Sequence, residues 1–371
     1  MNLKSLRIVH IISKFDSNQG GPPKSVLSIM QAQNILGYNS KIITSSKKKL
    51  KIKNVYYGNL LFGRYAFPDL NFLKLIFKNI QTADIIHIHN FWNFTVTISI
   101  IISWFYNKKI ILTPHGSLDK ENIKNKFFLK LIYFLIIDFF SLKFVNGFHF
   151  LNTEERKNFF LKSIIFKKST IIPNFILPRN FRFLKKSKIF KKKINFVYLG
   201  RIHPVKGIDI QIESLAKIVN EGFNAHLHII GPDDGSLIKL KKKVHELKLE
   251  NNVSFYNSIF SNKKFSFLKE ANAVLLTSYR ECDPMIVKET LNVGGILIAT
   301  KTCGLSSLKK KNVAIIVDRQ VNDIFRAMKF VISNSNKIKI IKKNIKKYVN
   351  NYLNYKLNCK QIIFYYKKIL K

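Results

Sequence analysis

The sequence predicts an α/β protein made of two similar parallel-sheet halves, and three observations lead there. Its 371 residues exceed what one hydrophobic core usually serves and fit about two domains of roughly 100–200 residues each. Short β-branched runs alternate with longer segments of helical period, the pattern of βαβ units around a sheet buried on both faces. After a lysine-rich break the same alternation starts again.

Taken in order, the first half offers strands at Leu6–Ile12, Lys41–Thr44, Asp84–His89, Lys109–Thr113, Gly147–Leu151 and Thr170–Ile172. Pro173 and Asn174 stop the last of these. Helical periodicity falls between them at Lys24–Leu36, Phe72–Asn79, Thr95–Tyr106, Lys126–Phe140 and Thr153–Leu161. Thr153, with Glu154 and Glu155 behind it, is a capped start with acid in the first turn. Leu177 to Lys193, with Pro178, many lysines and little periodicity, reads as a linker. Further strands follow at Ile194–Gly200, His226–Gly231, Val253–Phe255, Ala273–Thr277, Gly295–Thr300 and Val313–Val317, with helices between them. Gly207–Asn220 is the clearest of those helices, because Ile208, Ile212, Leu215 and Val219 recur at spacings of three and four. The tail reads as helical around Ile324–Ile332, Ile338–Val349 and Lys356–Leu370, and it presents a basic amphipathic surface. The expected division is a first domain at 1–177, a linker at 178–193, a second domain at 194–350 and a closing helix at 351–371 that packs back on the first domain.

Composition narrows the function less than the pattern does. An excess of 64 Lys+Arg over 21 Asp+Glu gives a formal charge of +43, which suits nucleic acid, a membrane surface or anionic small molecules equally. Lysine is spread through almost every segment, so a bias of residue usage accounts for part of it. Cys282, Cys303 and Cys359 are too far apart for a zinc site or a disulfide framework and fit a reducing cytoplasm. Leu6–Ile12 is too short for a secretory signal. The apolar stretches Phe94–Tyr106 and Leu129–Phe144 fall below the ~20 residues of a spanning helix and read as buried or interfacial.

Ligands of open parallel sheets sit beyond the carboxyl ends of the strands, and the distinctive motifs occupy those places. Gly20 and Gly21, followed by Pro22 and Pro23, come after the opening strand and could cradle a phosphate or form an ordinary loop. His115 lies between Pro114 and Gly116 on a tight turn, able to meet a sugar hydroxyl or to bond the local backbone. His87 and His89 share one face of the preceding strand, where packing or hydrogen bonding is favoured over metal ligation. In the second half Gly200, Arg201, Lys206 and Gly207 put two cations at a helix start, fit for a diphosphate unless both are merely solvated. Glu281 and Glu289, with Met285 and Ile286 between them, flank a strand-to-helix turn. A helix glutamate there can accept from both hydroxyls of a ribose, although a surface acid is the plainer reading.

Together these pieces resemble the retaining, nucleotide-sugar-dependent glycosyltransferases of the GT-B fold, the large family commonly numbered four. An early Gly-Gly loop, a T-x-H-G-like turn, a G-R-x-x-x-x-K-G segment and two glutamates with seven residues between them occur in that family's order, over nearly the whole chain. The resemblance implies two Rossmann-like domains with parallel sheets facing across a cleft. It implies that Arg201 and Lys206 hold the donor diphosphate, Glu289 the ribose, Glu281 the transferred sugar or its reacting face, and His115 the donor sugar near the reaction centre. Gly20, Gly21, Gly200, Met285 and Ile286 join Arg201, Lys206, Glu281 and Glu289 as donor-binding residues. It further implies no metal and no cofactor beyond the nucleoside-diphosphate sugar as co-substrate. The acceptor would be a saccharide or lipid-linked saccharide in cell-surface polysaccharide or lipopolysaccharide synthesis, with the protein cytoplasmic or peripheral at the inner face of the plasma membrane. Cys282, Thr290 and Ile296 depart from the family's usual Gly, Ala and Pro. The alternatives are a basic nucleic-acid-binding protein, disfavoured because no binding motif accompanies the charge, and a sugar-nucleotide epimerase of the same shape.

Overall fold

The computed structural model describes residues 6–16, 20–63, 65–119, 139–159, 168–178, 190, 194–259 and 262–371. The expected helix at Lys126–Phe140 and most of the expected linker lie outside them, apart from the last residues of that helix and Leu177, Pro178 and Phe190. The chain divides into two compact units, Met1–Phe175 together with Tyr355–Lys371, and Ile176–Asn354.

The first unit opens with β1 (Arg7–Lys14), α1 (Gly21–Ile35), β2 (Asn39–Ser45) and β3 (Val55–Gly58). A small antiparallel pair, β4 (Leu60–Phe62) and β5 (Phe67–Pro68), leads into α2 (Leu70–Thr82). Asp69 caps that helix by accepting from the Phe72 amide at 2.6 Å. Then come β6 (Ile85–His89), α3 (Phe94–Phe105), β7 (Lys109–Thr113), α4 (Phe139–Phe144), β8 (Gly147–Phe150), α5 (Thr153–Asn158) and β9 (Lys168–Ile171). The sheet order is β3-β2-β1-β6-β7-β8-β9, with every neighbouring pair parallel. β6 is buried throughout, as its unbroken run of Ile and His demands in a sheet covered on both faces. β3 and the β4–β5 pair were not foreseen, because each strand is four residues or shorter and has little pattern of its own.

The second unit runs through β10 (Ile194–Leu199), α6 (Ile208–Asn220), β11 (Ala225–Ile230), α7 (Leu237–Glu246), β12 (Val253–Tyr256), α8 (Asn262–Glu270) and β13 (Ala273–Leu276). It continues with α9 (Met285–Asn292), β14 (Leu297–Thr300), α10 (Ser306–Lys310), β15 (Ile315–Val317), α11 (Val321–Ser333) and α12 (Ser335–Tyr352). Its parallel sheet has the order β12-β11-β10-β13-β14-β15. One hydrophobic core holds this unit together, including Val197, Ile212, Leu227, Val274 and Ile298, all fully buried, with Phe196 and Tyr198 among them.

The closing helix α13 (Tyr355–Leu370) belongs to the first unit. Ile362, Ile363 and Tyr366 are buried against it, and the Tyr365 hydroxyl donates to the Lys168 carbonyl at 2.6 Å. Burial raises the Cys359 thiol to about 12, so it behaves as a small apolar group. No helix among the described residues is long and apolar enough to cross a membrane.

In both sheets the order reverses at the first strand. β1 lies between β2 and β6, and β10 lies between β11 and β13. Loops leaving two adjacent strands in opposite directions open a crevice beyond their carboxyl ends. In the second unit the backbones there come very close: a Cβ on Gly231, at φ 154, would fall 1.7 Å from the Gly200 carbonyl oxygen. Gly231→Ala is therefore expected to destabilise the second unit by on the order of 3 kcal/mol, read as a lower denaturation midpoint. An unchanged midpoint would show that the two loops are free to separate.

Candidate functional site

In the second unit the crevice is lined by the segment after β10 and the segment after β13. The Tyr198 hydroxyl holds the first by donating to the Arg201 carbonyl at 2.7 Å. A short 3-10 turn, Pro204–Lys206, is capped by His203, whose ring accepts from the Val205 amide. Gly207 then takes the left-handed conformation, φ 62. A Cβ there would lie 2.5 Å from the Thr277 carbonyl oxygen, so glycine lets this turn press against the end of β13. Thr277 Oγ1 donates to the Gly207 carbonyl at 2.7 Å and accepts from Gln211 Nε2 at 2.6 Å.

That contact brings together two residues 75 positions apart: Lys206 Nζ lies 2.6 Å from Glu281 Oε1. Their side chains are 17% and 12% exposed. The Ser278 hydroxyl donates to the same carboxylate oxygen at 2.6 Å. An ion pair this sheltered is costly to break, because removing either partner strands the other charge away from water. The ammonium keeps further protons to offer an anion.

The remaining predicted residues do not join that pair. Arg201, 44% exposed, reaches Asp234 Oδ2 at 2.6 Å. Its neighbour Asp233 accepts from the amides of Gly235, Ser236 and Leu237 and so starts α7. The resulting backbone bonds, led by that from Leu237, lower its carboxyl below the ordinary range. Glu289, on α9 and buried, pairs with Lys264 Nζ of α8 at 2.6 Å. Asp283 and Lys288 form a third sheltered pair at 2.6 Å. Met285, the first residue of α9, is buried, and Ile286 packs partly buried against the core. Gly200 sits directly after β10. Arg319, which the sequence did not single out, stacks its guanidinium 3.3 Å from the centre of the Tyr279 ring and donates to the Thr277 carbonyl at 3.1 Å.

In the first unit Gly20, φ 81, is the cap of α1, and Gly21 is already the first residue of the helix. The helix thus starts three residues earlier than the expected Lys24, because Pro22 and Pro23 are tolerated in its first turn. His115 holds the left-handed conformation at φ 52, uncommon for a side-chain-bearing residue. Glu155 keeps it there: one carboxylate oxygen accepts from the Gly116 amide and the other from the Leu151 amide, each at 2.7 Å. The sequence reads Glu155 only as an acid in a helix's first turn.

Behind His115 the buried histidines form a connected group. His89 Nδ1 lies 3.1 Å from His115 Nε2, and His89 Nε2 lies 2.9 Å from His10 Nδ1. His10 Nε2 lies 2.8 Å from Gln33 Oε1. His87 meets Tyr366 at Nδ1 and Thr113 at Nε2. His10, His87 and His89 have nitrogens within 4.8 Å of one another, a spacing that suits a metal ion. All six of their ring nitrogens already face a hydrogen-bond partner, which a metal would have to displace.

Burial holds this group and the neighbouring His149, whose ring lies 5.6 Å from that of His87, neutral, with pKa values of about 4 for His10 and His149 and about 3 for His115. His87 and His89 are also pushed well below 6.5, by burial first and by neighbouring imidazoles second. The folded state binds fewer protons than the unfolded chain once the pH falls below ~6.5, so acid destabilises it. For a fully buried histidine with a folded pKa near 4, the loss by pH 5 is about 2 kcal/mol. Melting temperature should therefore fall steadily from pH 7 to pH 5, and a flat profile over that range would contradict the buried neutral cluster.

Residues 180–348 match the family model of glycosyl transferases group 1. The chain is 26% identical over 279 residues to an uncharacterized glycosyltransferase of Methanocaldococcus jannaschii, covering 75% of this chain and 64% of that protein. It is 20% identical over 327 residues to the GPI3 subunit of the phosphatidylinositol N-acetylglucosaminyltransferase of Saccharomyces cerevisiae, covering 83% and 71%. Among solved structures, the sucrose-phosphate synthase of Thermosynechococcus elongatus superposes with a TM-score of 0.74 at 15% identity, covering 98% of this chain and 99% of that one. HepE of Anabaena, solved with UDP, superposes at 0.75 and 14% identity, covering 98% and 100%. These likenesses establish the fold as GT-B, two Rossmann-like α/β units.

Proposed function

We propose that this chain, whose second unit carries a group 1 glycosyl transferase segment, moves a sugar from a nucleoside-diphosphate sugar to a saccharide or lipid-linked saccharide, with retention of configuration. The observation that carries this reading is the sheltered Lys206–Glu281 pair, joined by Ser278, at the strand-order reversal of the second unit. A lysine fixed there by a carboxylate is oriented to offer its remaining protons to a diphosphate. Arg201, more exposed and paired at one nitrogen with Asp234, has guanidinium N–H groups left for the same anion. Glu289 is neutralised by Lys264, which lets a buried carboxylate accept from ribose hydroxyls without an uncompensated charge.

In the reaction the bond between the anomeric carbon and the phosphate oxygen breaks as the acceptor hydroxyl attacks from the same face. The departing diphosphate takes up the acceptor's proton, and Lys206 and Arg201 stabilise its charge, so no metal or cofactor is required of the chain. HepE is solved with UDP-glucose, which makes uridine donors the first to test. The yeast relative's name speaks of phosphatidylinositol, and the basic surface of this chain suits a lipid-borne acceptor at an anionic membrane face. The protein is then a cytoplasmic or peripheral enzyme of glycan assembly.

Purified protein should release nucleoside diphosphate from one member of a panel of nucleotide sugars, in the presence of chelator. Lys206→Ala should lower turnover about 10²–10³-fold, Arg201→Ala should do likewise, and Glu289→Gln should chiefly raise the KM for the donor. Unchanged turnover in all three folded variants would falsify the assignment. Binding of duplex nucleic acid without donor binding would replace it.

A further inference from the structure

We propose that Gln33, acting through His10 and His89, fixes the tautomer of His115 so that Nε2 carries the proton and Nδ1 presents a lone pair to a ligand hydroxyl. Gln33 and the two histidines are positioning residues, and none of them is among the residues assigned to the donor above.

The direction of the chain of hydrogen bonds is set at its inner end. The Tyr366 hydroxyl lies 2.5 Å from His87 Nδ1. The same hydroxyl oxygen faces Gln33 Nε2, an amide donor, 3.4 Å away and accepts from it. Its own proton then has His87 Nδ1 as its acceptor, so Tyr366 donates and His87 accepts. The other end of the amide is then the carbonyl oxygen, and it faces two groups: Ser40 Oγ at 2.6 Å and His10 Nε2 at 2.8 Å. An amide oxygen only accepts, so His10 must carry its proton on Nε2.

Each later step follows because a neutral imidazole has one N–H and one lone pair. His10 Nδ1 is an acceptor, so His89 donates to it from Nε2 across 2.9 Å. His89 Nδ1 is then an acceptor, and His115 donates to it from Nε2 across 3.1 Å. His115 is left with an unprotonated Nδ1. Gln33, His10 and His89 are fully buried, so water is not at hand to break the sequence. The low pKa values of these rings agree with one proton per imidazole.

The consequence is chemical selectivity. A phosphate oxygen or a carbonyl brings only lone pairs and is repelled by Nδ1, whereas a sugar hydroxyl can donate to it. This rests on the glycosyltransferase reading for the identity of the ligand, but the tautomer itself does not.

The test is nitrogen-15 spectroscopy of the full-length protein labelled in histidine, without donor. The His115 signals, identified by their loss in His115→Gln, should show a protonated Nε2 and an unprotonated Nδ1. Gln33→Met should merge the two resonances toward the average of exchanging tautomers, and Gln33→Glu, which keeps an acceptor for His10, should restore the wild-type pattern. A protonated Nδ1 in the wild-type protein overturns the proposal whether or not the variants fold. So does a spectrum of folded Gln33→Met identical to wild type. Because no donor is present, failure here leaves the transfer assay standing, and failure of transfer leaves this result standing.

Discussion

A parallel sheet covered on both faces has no room for charge except beyond the carboxyl ends of its strands, and this constraint organises the whole molecule. The central strands of both sheets are almost entirely buried. The polar groups of interest collect around the place where the strand order reverses, after β10 and β13 in one unit, and on β1 and β6 and in the turn after β7 in the other. Backbone amides, helix starts and left-handed turns are concentrated in the same places.

Within that frame the two units solve opposite electrostatic problems. The second unit gathers carboxylates from a chain that has only 21 of them and gives each a cation: Lys206 to Glu281, Lys264 to Glu289, Lys288 to Asp283, Arg201 to Asp234. In the first three pairs, which are sheltered, this prevents uncompensated burial and fixes the side chains in direction. In the first unit the ring nitrogens of His10, His87 and His89 meet other imidazoles, an amide and hydroxyls, and burial keeps these rings neutral, so their hydrogen bonds must be matched donor to acceptor. Glu155 serves there through backbone amides, stabilising the turn that carries His115.

Much of the architecture was legible in the chain. The run Asp84–His89 read as a strand, and the glycines at 200 and 207 announced a strand end and a helix start around two cations. What escaped were short elements with little pattern of their own, such as β3, and partners that are unremarkable in sequence. Lys264 and Asp234 are one lysine and one aspartate among many charged residues, and Gln33 is a polar residue on a helix face. Nothing local distinguishes them from solvated neighbours.

The sequence by itself therefore determined what depends on spacing along the chain: the alternation that makes two α/β units, and the glycine, proline and histidine positions at strand ends. Only the tertiary structure decided which lysine meets Glu281, which acid meets Arg201, and which way the protons run from Tyr366 to His115. The physical reason is that these contacts join segments tens to hundreds of residues apart. In so lysine-rich a chain every acid has many candidate partners, and strand order is what selects one.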